Sequence, residues 1–287
     1  MSSLAIHGLH QEVWTDSSVT ARMQALQDLE TAQAAREQRS ACTVDFIPDD
    51  VYRSEEERQG LRGYHEGNNI YINSALVEND QPYLATETLF HESRHAYQEH
   101  VANNPEQAED PQQVQDWQMN VDAKGYLHPE QVDWEAYRFQ PIEEDANQIA
   151  RQRTDDLYMG EFGDTEHYPE YRAAREAEMA EEQAQGEDAL GSDPTGKARD
   201  MMIEQYQANE LAQTQEQSAS LNGSGSVEAQ TVTPSVPGSE SNDVRASEES
   251  SPSVTNRAGQ SEELASQQSD GGVDLDQDYD AYYGYGQ

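Results

Sequence analysis

Leu89-Phe90-His91-Glu92-Ser93-Arg94-His95-Ala96-Tyr97 decides how the rest of the chain is read. It has the form H-E-x-x-H, inside an apolar-periodic stretch, Leu84 to Val101, that predicts a helix. Residues four apart on a helix share a face one turn apart, so both imidazoles can reach one ion at about 2.0–2.1 Å. Glu92 projects beside them and is the expected general base. Zinc brings the pKa of a coordinated water toward about 7, which makes a nucleophile available at neutral pH. A catalytic zinc site needs a third protein ligand and an open position. His100 does not supply it, because five residues of helix turn it about 140° away from His95. The pattern that continues with Gly and a third His also fails, since Gln98 and Val101 stand at those places. The expected donor is a Glu on a second helix, within Gln140-Pro141-Ile142-Glu143-Glu144-Asp145-Ala146-Asn147-Gln148-Ile149-Ala150.

Upstream, Val19, Met23, Leu26 and Leu29 recur at helical spacing after Asp16 and Ser17, predicting a helix to about Arg39. Ala41 to Ile47 alternates and is β-rich. Gly67, Asn68 and Asn69 suit a tight turn, and Ile70-Tyr71-Ile72 reads as a strand, so Gly63 to Asn73 is a hairpin. These segments give a sheet of about three strands. Downstream, helices are expected over Pro111–Ala123, over Gln131 to about Leu157 with a kink or restart at Pro141, over Tyr168 to about Gln185, and weakly over Ala198–Leu211. The fold class is α+β: an N-terminal helix over 1–40, a core over 41–160, acidic surface helices over 161–214, and a disordered tail over 215–287.

The tail is expected to be disordered because its Ser, Gly, Gln, Glu and Asp leave too little apolar surface to offset the ordering entropy. Its tip, with Tyr279, Tyr282, Tyr283 and Tyr285 among acids, reads as a solvated end or as a docking segment for a protein partner. Across 287 residues there are 57 Asp and Glu against 17 Lys and Arg, a net charge of −40. Direct binding to nucleic acid or to an anionic membrane is not expected of such a chain. Cys42 is the single cysteine, which excludes an intramolecular disulfide and a thiolate-based zinc site. Residues 1–14 lack a basic stretch followed by an apolar run, so a cytoplasmic protein is expected, with signal-independent export left open.

Taken in order, Gly63-Tyr64-His65 with Ile70-Tyr71-Ile72-Asn73, then His91-Glu92-x-x-His95, then Glu143-x-Asp145-Ala146-Asn147-x-Ile149-Ala150, the chain resembles the ImmA/IrrE-type metallopeptidases. Those carry a hairpin, an H-E-x-x-H helix and an E-x-E-A-N helix in this sequence. The resemblance covers about residues 41–155. It implies a small zincin-like domain and a gluzincin-type, zinc-dependent peptidase that acts on a protein or peptide. The chain differs from the family pattern at Arg94, in the long segment with Trp117 between the second and third motifs, and at Arg151-Gln152-Arg153.

In this reading His91, His95 and Glu143 are the metal ligands and Glu92 is the base. Glu143 is preferred to Glu144 because it shares its face with Ala146, Asn147 and Ala150, whereas Glu144 shares its own with Gln148, Arg151 and Asp155. Asn147 is expected to orient a ligating histidine, and Asp145 is a weaker candidate for that task. Tyr137 is the candidate donor to a developing oxyanion, with His128 as the alternative; Tyr97, two residues past His95, points away from the metal face and is expected to pack. The strand Ile70–Ile72 is expected to pair with an extended substrate. Trp14, Trp117 and Trp134 are expected in the core, and His7, His10, His65 and His167 to be solvated or locally satisfied. The rival readings are a zincin-fold binding module without catalysis and an effector peptidase.

Overall fold

In the computed structural model, residues 6–47, 61–108, 110–121, 124–129 and 131–223 are described. Helices dominate and one small sheet accompanies them. After a short helix α1 (Gln11–Thr15), α2 spans Val19–Arg36, capped by the Ser18 hydroxyl, which accepts from the Ala21 amide at 3.3 Å. Leu26, Leu29 and Ala34 of α2 are buried, together with the polar Arg22, Glu30 and Gln33.

Three strands follow: β1 (Thr43–Phe46), β2 (Gly63–Glu66) and β3 (Asn69–Ile72). Their order is β1-β3-β2, with β1 parallel and β2 antiparallel to β3. Gly67 has φ of 59° and Asn68 has not crossed to positive φ, as a type II′ hairpin turn requires. Ile70 and Ile72 point into the core with Val44. The expected hairpin is therefore present, but one expectation fails. Because β3 is flanked on both sides, its backbone groups are already paired and Ile70–Ile72 offers no edge to a substrate.

Helix α3 (Ser74–Glu78) leads into α4 (Tyr83–Asn103), the long helix that carries H-E-x-x-H. Its buried Ala85, Leu89 and Phe90 pack on Leu26, Leu29 and the inner face of the sheet. The site depends on how closely β2 crosses α4. A Cβ on Gly63 would sit 2.8 Å from the Thr88 methyl and 2.8 Å from the Tyr71 carbonyl, and 3.4 Å from Cγ of Glu92. Only glycine lets the strand lie this near the helix.

Helix α5 (Pro111–Val121) builds a second apolar cluster, Val101, Val114, Trp117 and Ile142. The restart expected at Pro141 is present: α6 (Trp134–Arg138) ends, and α7 (Pro141–Asp155) begins with Pro141 in its first turn, where a missing N–H costs nothing. A π-type turn over Asp156–Glu161 follows, then α8 (Tyr168–Leu190) and α9 (Pro194–Gly223).

The helices expected to be surface elements bury one face each. Tyr168 and Tyr171 of α8 join Tyr83 and Tyr158 in the main core, and Met202 of α9 packs on Leu127 and Ala136. The contacts accordingly gather residues 1–220 into one compact unit. Helix α9 also continues past the boundary expected near residue 215; the rest of the tail lies outside the described residues. Trp14 and Trp117 are buried, but Trp134 is 38% exposed and stacks beside Tyr137, so it is not a core anchor. Among the described residues no helix is long and apolar enough to cross a membrane.

Candidate metal centre

Two helices supply the centre. α4 presents His91 and His95, one turn apart, with ring centroids 4.7 Å from each other and planes at 83°. α7 lies against it and brings Glu143 from its first turn. The two Nε2 atoms are 3.0 Å apart; Glu143 Oε2 is 3.3 Å from His91 Nε2, and Oε1 is 3.6 Å from His95 Nε2. Ligands at about 2.0–2.1 Å from a tetrahedral ion stand roughly 3.3 Å from one another. The three donors thus form a triangle of the size that zinc requires, and a nitrogen–nitrogen–carboxylate set suits that metal.

Glu92 also lies within 4.8 Å of the His91 and His95 ligand atoms, which raises the alternative that it is the third ligand. The contacts favour Glu143, whose carboxylate touches both rings. Glu144 turns the other way and accepts from Arg138 at 2.7 Å. Glu92 is 6% exposed, and the nearby backbone N–H of His65 on β2 favours its charged form. Burial raises its carboxyl above the ordinary range, against the opposing pull of His91 and His95. A raised carboxyl is suited to taking up and releasing a proton near neutral pH. Burial works the same way on Glu143, but His95 and His91 overcome it and hold that carboxyl well below its usual value. In return, and against its own burial, His95 is raised to about 9 by Glu143.

Around these four residues the structure departs from expectation in several places. Asn147 does not reach a histidine: its Nδ2 donates to the Glu143 carbonyl one turn back, at 2.8 Å. Asp145 is the hub instead. It accepts from Arg94 at 2.7 and 3.0 Å, from Gln98 at 2.7 Å and from Gln113 of α5 at 3.1 Å. The Arg94 guanidinium lies 4.5 Å from the Tyr97 ring and 5.1 Å from the Trp117 ring, which accounts for an arginine beside the second histidine. Tyr97 is therefore part of this packing.

The Tyr137 ring meets that of Tyr126 edge-on at 6.2 Å, and Tyr126 donates to Glu143 Oε1 at 2.8 Å. Burial first, then Glu143, pushes both phenols above their ordinary range, so both stay protonated. Tyr126 escaped sequence reading because it sits in an irregular segment with no periodic signal. The ring of His128 meets Tyr126 edge-on at 4.9 Å. His100 turns away to Gln107 at 3.0 Å, as the helix angle implies. His65 contacts the Gly67 carbonyl at 2.8 Å; burial, then the neighbouring His95, lowers its imidazole to about 4. His10 stacks on Phe162 at 3.7 Å, and His167 lies 3.3 Å from Asp164.

Comparison of the chain with protein-family models, with curated proteins and with solved structures finds no match.

Proposed function

We propose that the chain is a zinc-dependent peptidase of the gluzincin type. The observation that carries this reading is the triangle of His91 Nε2, His95 Nε2 and the Glu143 carboxylate beside a buried, upshifted Glu92. The order of hairpin, H-E-x-x-H helix and Glu-bearing helix adds the ImmA/IrrE-type resemblance to it. His91, His95 and Glu143 would hold the ion, with Tyr126 fixing the Glu143 carboxylate. When bound, zinc supplies a Lewis acid that polarises a carbonyl and acidifies water. Glu92 accepts a proton from the attacking water and returns it to the leaving amine. The His65 amide, on the strand that Gly63 brings close to α4, favours the charged form of Glu92. Tyr137 senses the charge of both Glu143 and Glu92, and its protonated phenol is the donor available to a developing oxyanion. A protein or peptide is the proposed substrate.

Elemental analysis of the purified full-length chain tests the metal, and hydrolysis of a dye-labelled unfolded protein tests the chemistry. About one zinc per chain is expected. Glu92→Gln should keep the zinc and lose hydrolysis, since it removes the base and leaves the ligands. Glu143→Gln should lose both, and Glu144→Gln neither. A chain that retains zinc and full hydrolysis as Glu92→Gln would refute the peptidase assignment; zinc with no hydrolysis in the unaltered chain would favour the binding-module reading.

A further inference from the structure

Gln98 has no place in the H-E-x-x-H pattern, yet it is fully buried and every polar atom of its amide is used. Its Nε2 lies 2.9 Å from the Ile142 carbonyl and 2.7 Å from Asp145 Oδ2, and its Oε1 lies 2.8 Å from His95 Nδ1. The first two partners are acceptors only. A flipped amide would set its oxygen against both of them, so the orientation is fixed by its surroundings. Gln98 Oε1 therefore faces His95 as an acceptor, and His95 must carry a hydrogen on Nδ1. That leaves Nε2 of the neutral ring, the atom turned toward His91 and Glu143, as the one with a free lone pair. The same side chain also grips the carbonyl of the residue that precedes Glu143.

We infer that Gln98 is a positioning residue that selects the metal-binding tautomer of His95 and, through Ile142 and Asp145, fixes the distance between the two ligand-bearing helices. This inference rests on the metal reading of His91, His95 and Glu143. Asp145 is the anchor: held by Arg94 and Gln113, it aims the Gln98 amide. Ligating histidines depend on such partners at their other ring nitrogen, and losing one typically costs about 10–100-fold in metal affinity.

The test uses the full-length chain labelled with nitrogen-15 in its histidines, together with Zn2+ affinity measured by competition with a chromophoric chelator. In the metal-free protein, above about pH 9 where the His95 ring is neutral, its hydrogen should sit on Nδ1, protected from exchange with water, and Nε2 should be bare. In Gln98→Leu that protection should vanish and Zn2+ affinity should fall about 10–100-fold. The swapped pair Q98E/D145N restores an acceptor facing Nδ1 and the contact with residue 145, though not the one to the Ile142 carbonyl, and should recover the protected hydrogen and part of the lost affinity. A general packing defect would not be rescued in this way. A bare Nδ1 on His95, or an unchanged affinity in Gln98→Leu, would overturn the inference even if zinc binds. A protected Nδ1 hydrogen in a chain that binds no Zn2+ would instead overturn the metal reading on which it rests.

Discussion

The two residues between Glu92 and His95 are neighbours in sequence but face different sides of α4, and each enters a different ionic cluster. Ser93 faces α2. Its hydroxyl donates to Glu30 at 2.6 Å and accepts from Arg39 at 2.6 Å, and Glu30 and Arg39 pair at 2.7 and 3.1 Å. Their side chains are 0% and 2% exposed, and Glu30 also receives the Cys42 amide at 2.9 Å. Arg94 faces α7 and pairs with Asp145, at 13% and 12% exposure. The first cluster is sealed and joins α2 to α4. The second is partly open to water and joins α4 to α7. The positions that the metal motif leaves unspecified are the ones that dock its helix, and burial decides how much each docking contact weighs.

That difference in burial sets the order of the expected effects. Arg39→Met leaves Glu30 charged and sealed from water, and should cost about 3–5 kcal/mol in urea unfolding of the metal-free chain. Replacing both partners by leucine should cost less than that single change, since no unpaired charge remains. An equal or smaller loss from Arg39→Met than from the double change would erase the contrast between the clusters.

Arg94→Met should cost about 1–2 kcal/mol by the same measurement, because Asp145 keeps Gln98 and Gln113 as donors and some access to water. Its effect on Zn2+ affinity should exceed that of Arg39→Met, measured under conditions where both variants are folded. The reverse ranking would show that the α2 side, not the α7 side, governs the metal centre. The smallest effect is expected for Tyr126→Phe. It removes one donor from Glu143 and should weaken Zn2+ binding by roughly tenfold, about 1.4 kcal/mol, with little change in unfolding.

The contrast also explains what could be read from residues alone. His91, Glu92, His95 and Glu143 were legible because helix geometry converts spacing into a shared face, and the structure does bring them together. The hairpin was legible because Gly67-Asn68 carries its own turn chemistry. Tyr126 and the anchoring half of Gln98 take their roles from Glu143, Ile142 and Asp145, 17 to 47 residues further along, which local spacing does not show; Asp145 was expected to orient a histidine and meets Arg94 and Gln98 instead. Arg94 looked anomalous for that reason, since Asp145 and Trp117 are 51 and 23 residues further along. β3 was misjudged as an edge because strand order is a long-range property: its parallel partner β1 arrives from the other side of the hairpin.

The hairpin has a consequence in folding kinetics. β2 and β3 are joined by a two-residue turn, so their pairing is a local event on the microsecond scale. β1 must close a longer loop to add its parallel ladder, and Ser93 must meet Glu30 across 63 residues. The hairpin that forms soonest thus carries Gly63, against which α4 packs beside Glu92. When the histidine helix docks, it docks against a hairpin already in place, whereas Glu143 reaches His91 and His95 across 52 and 48 residues.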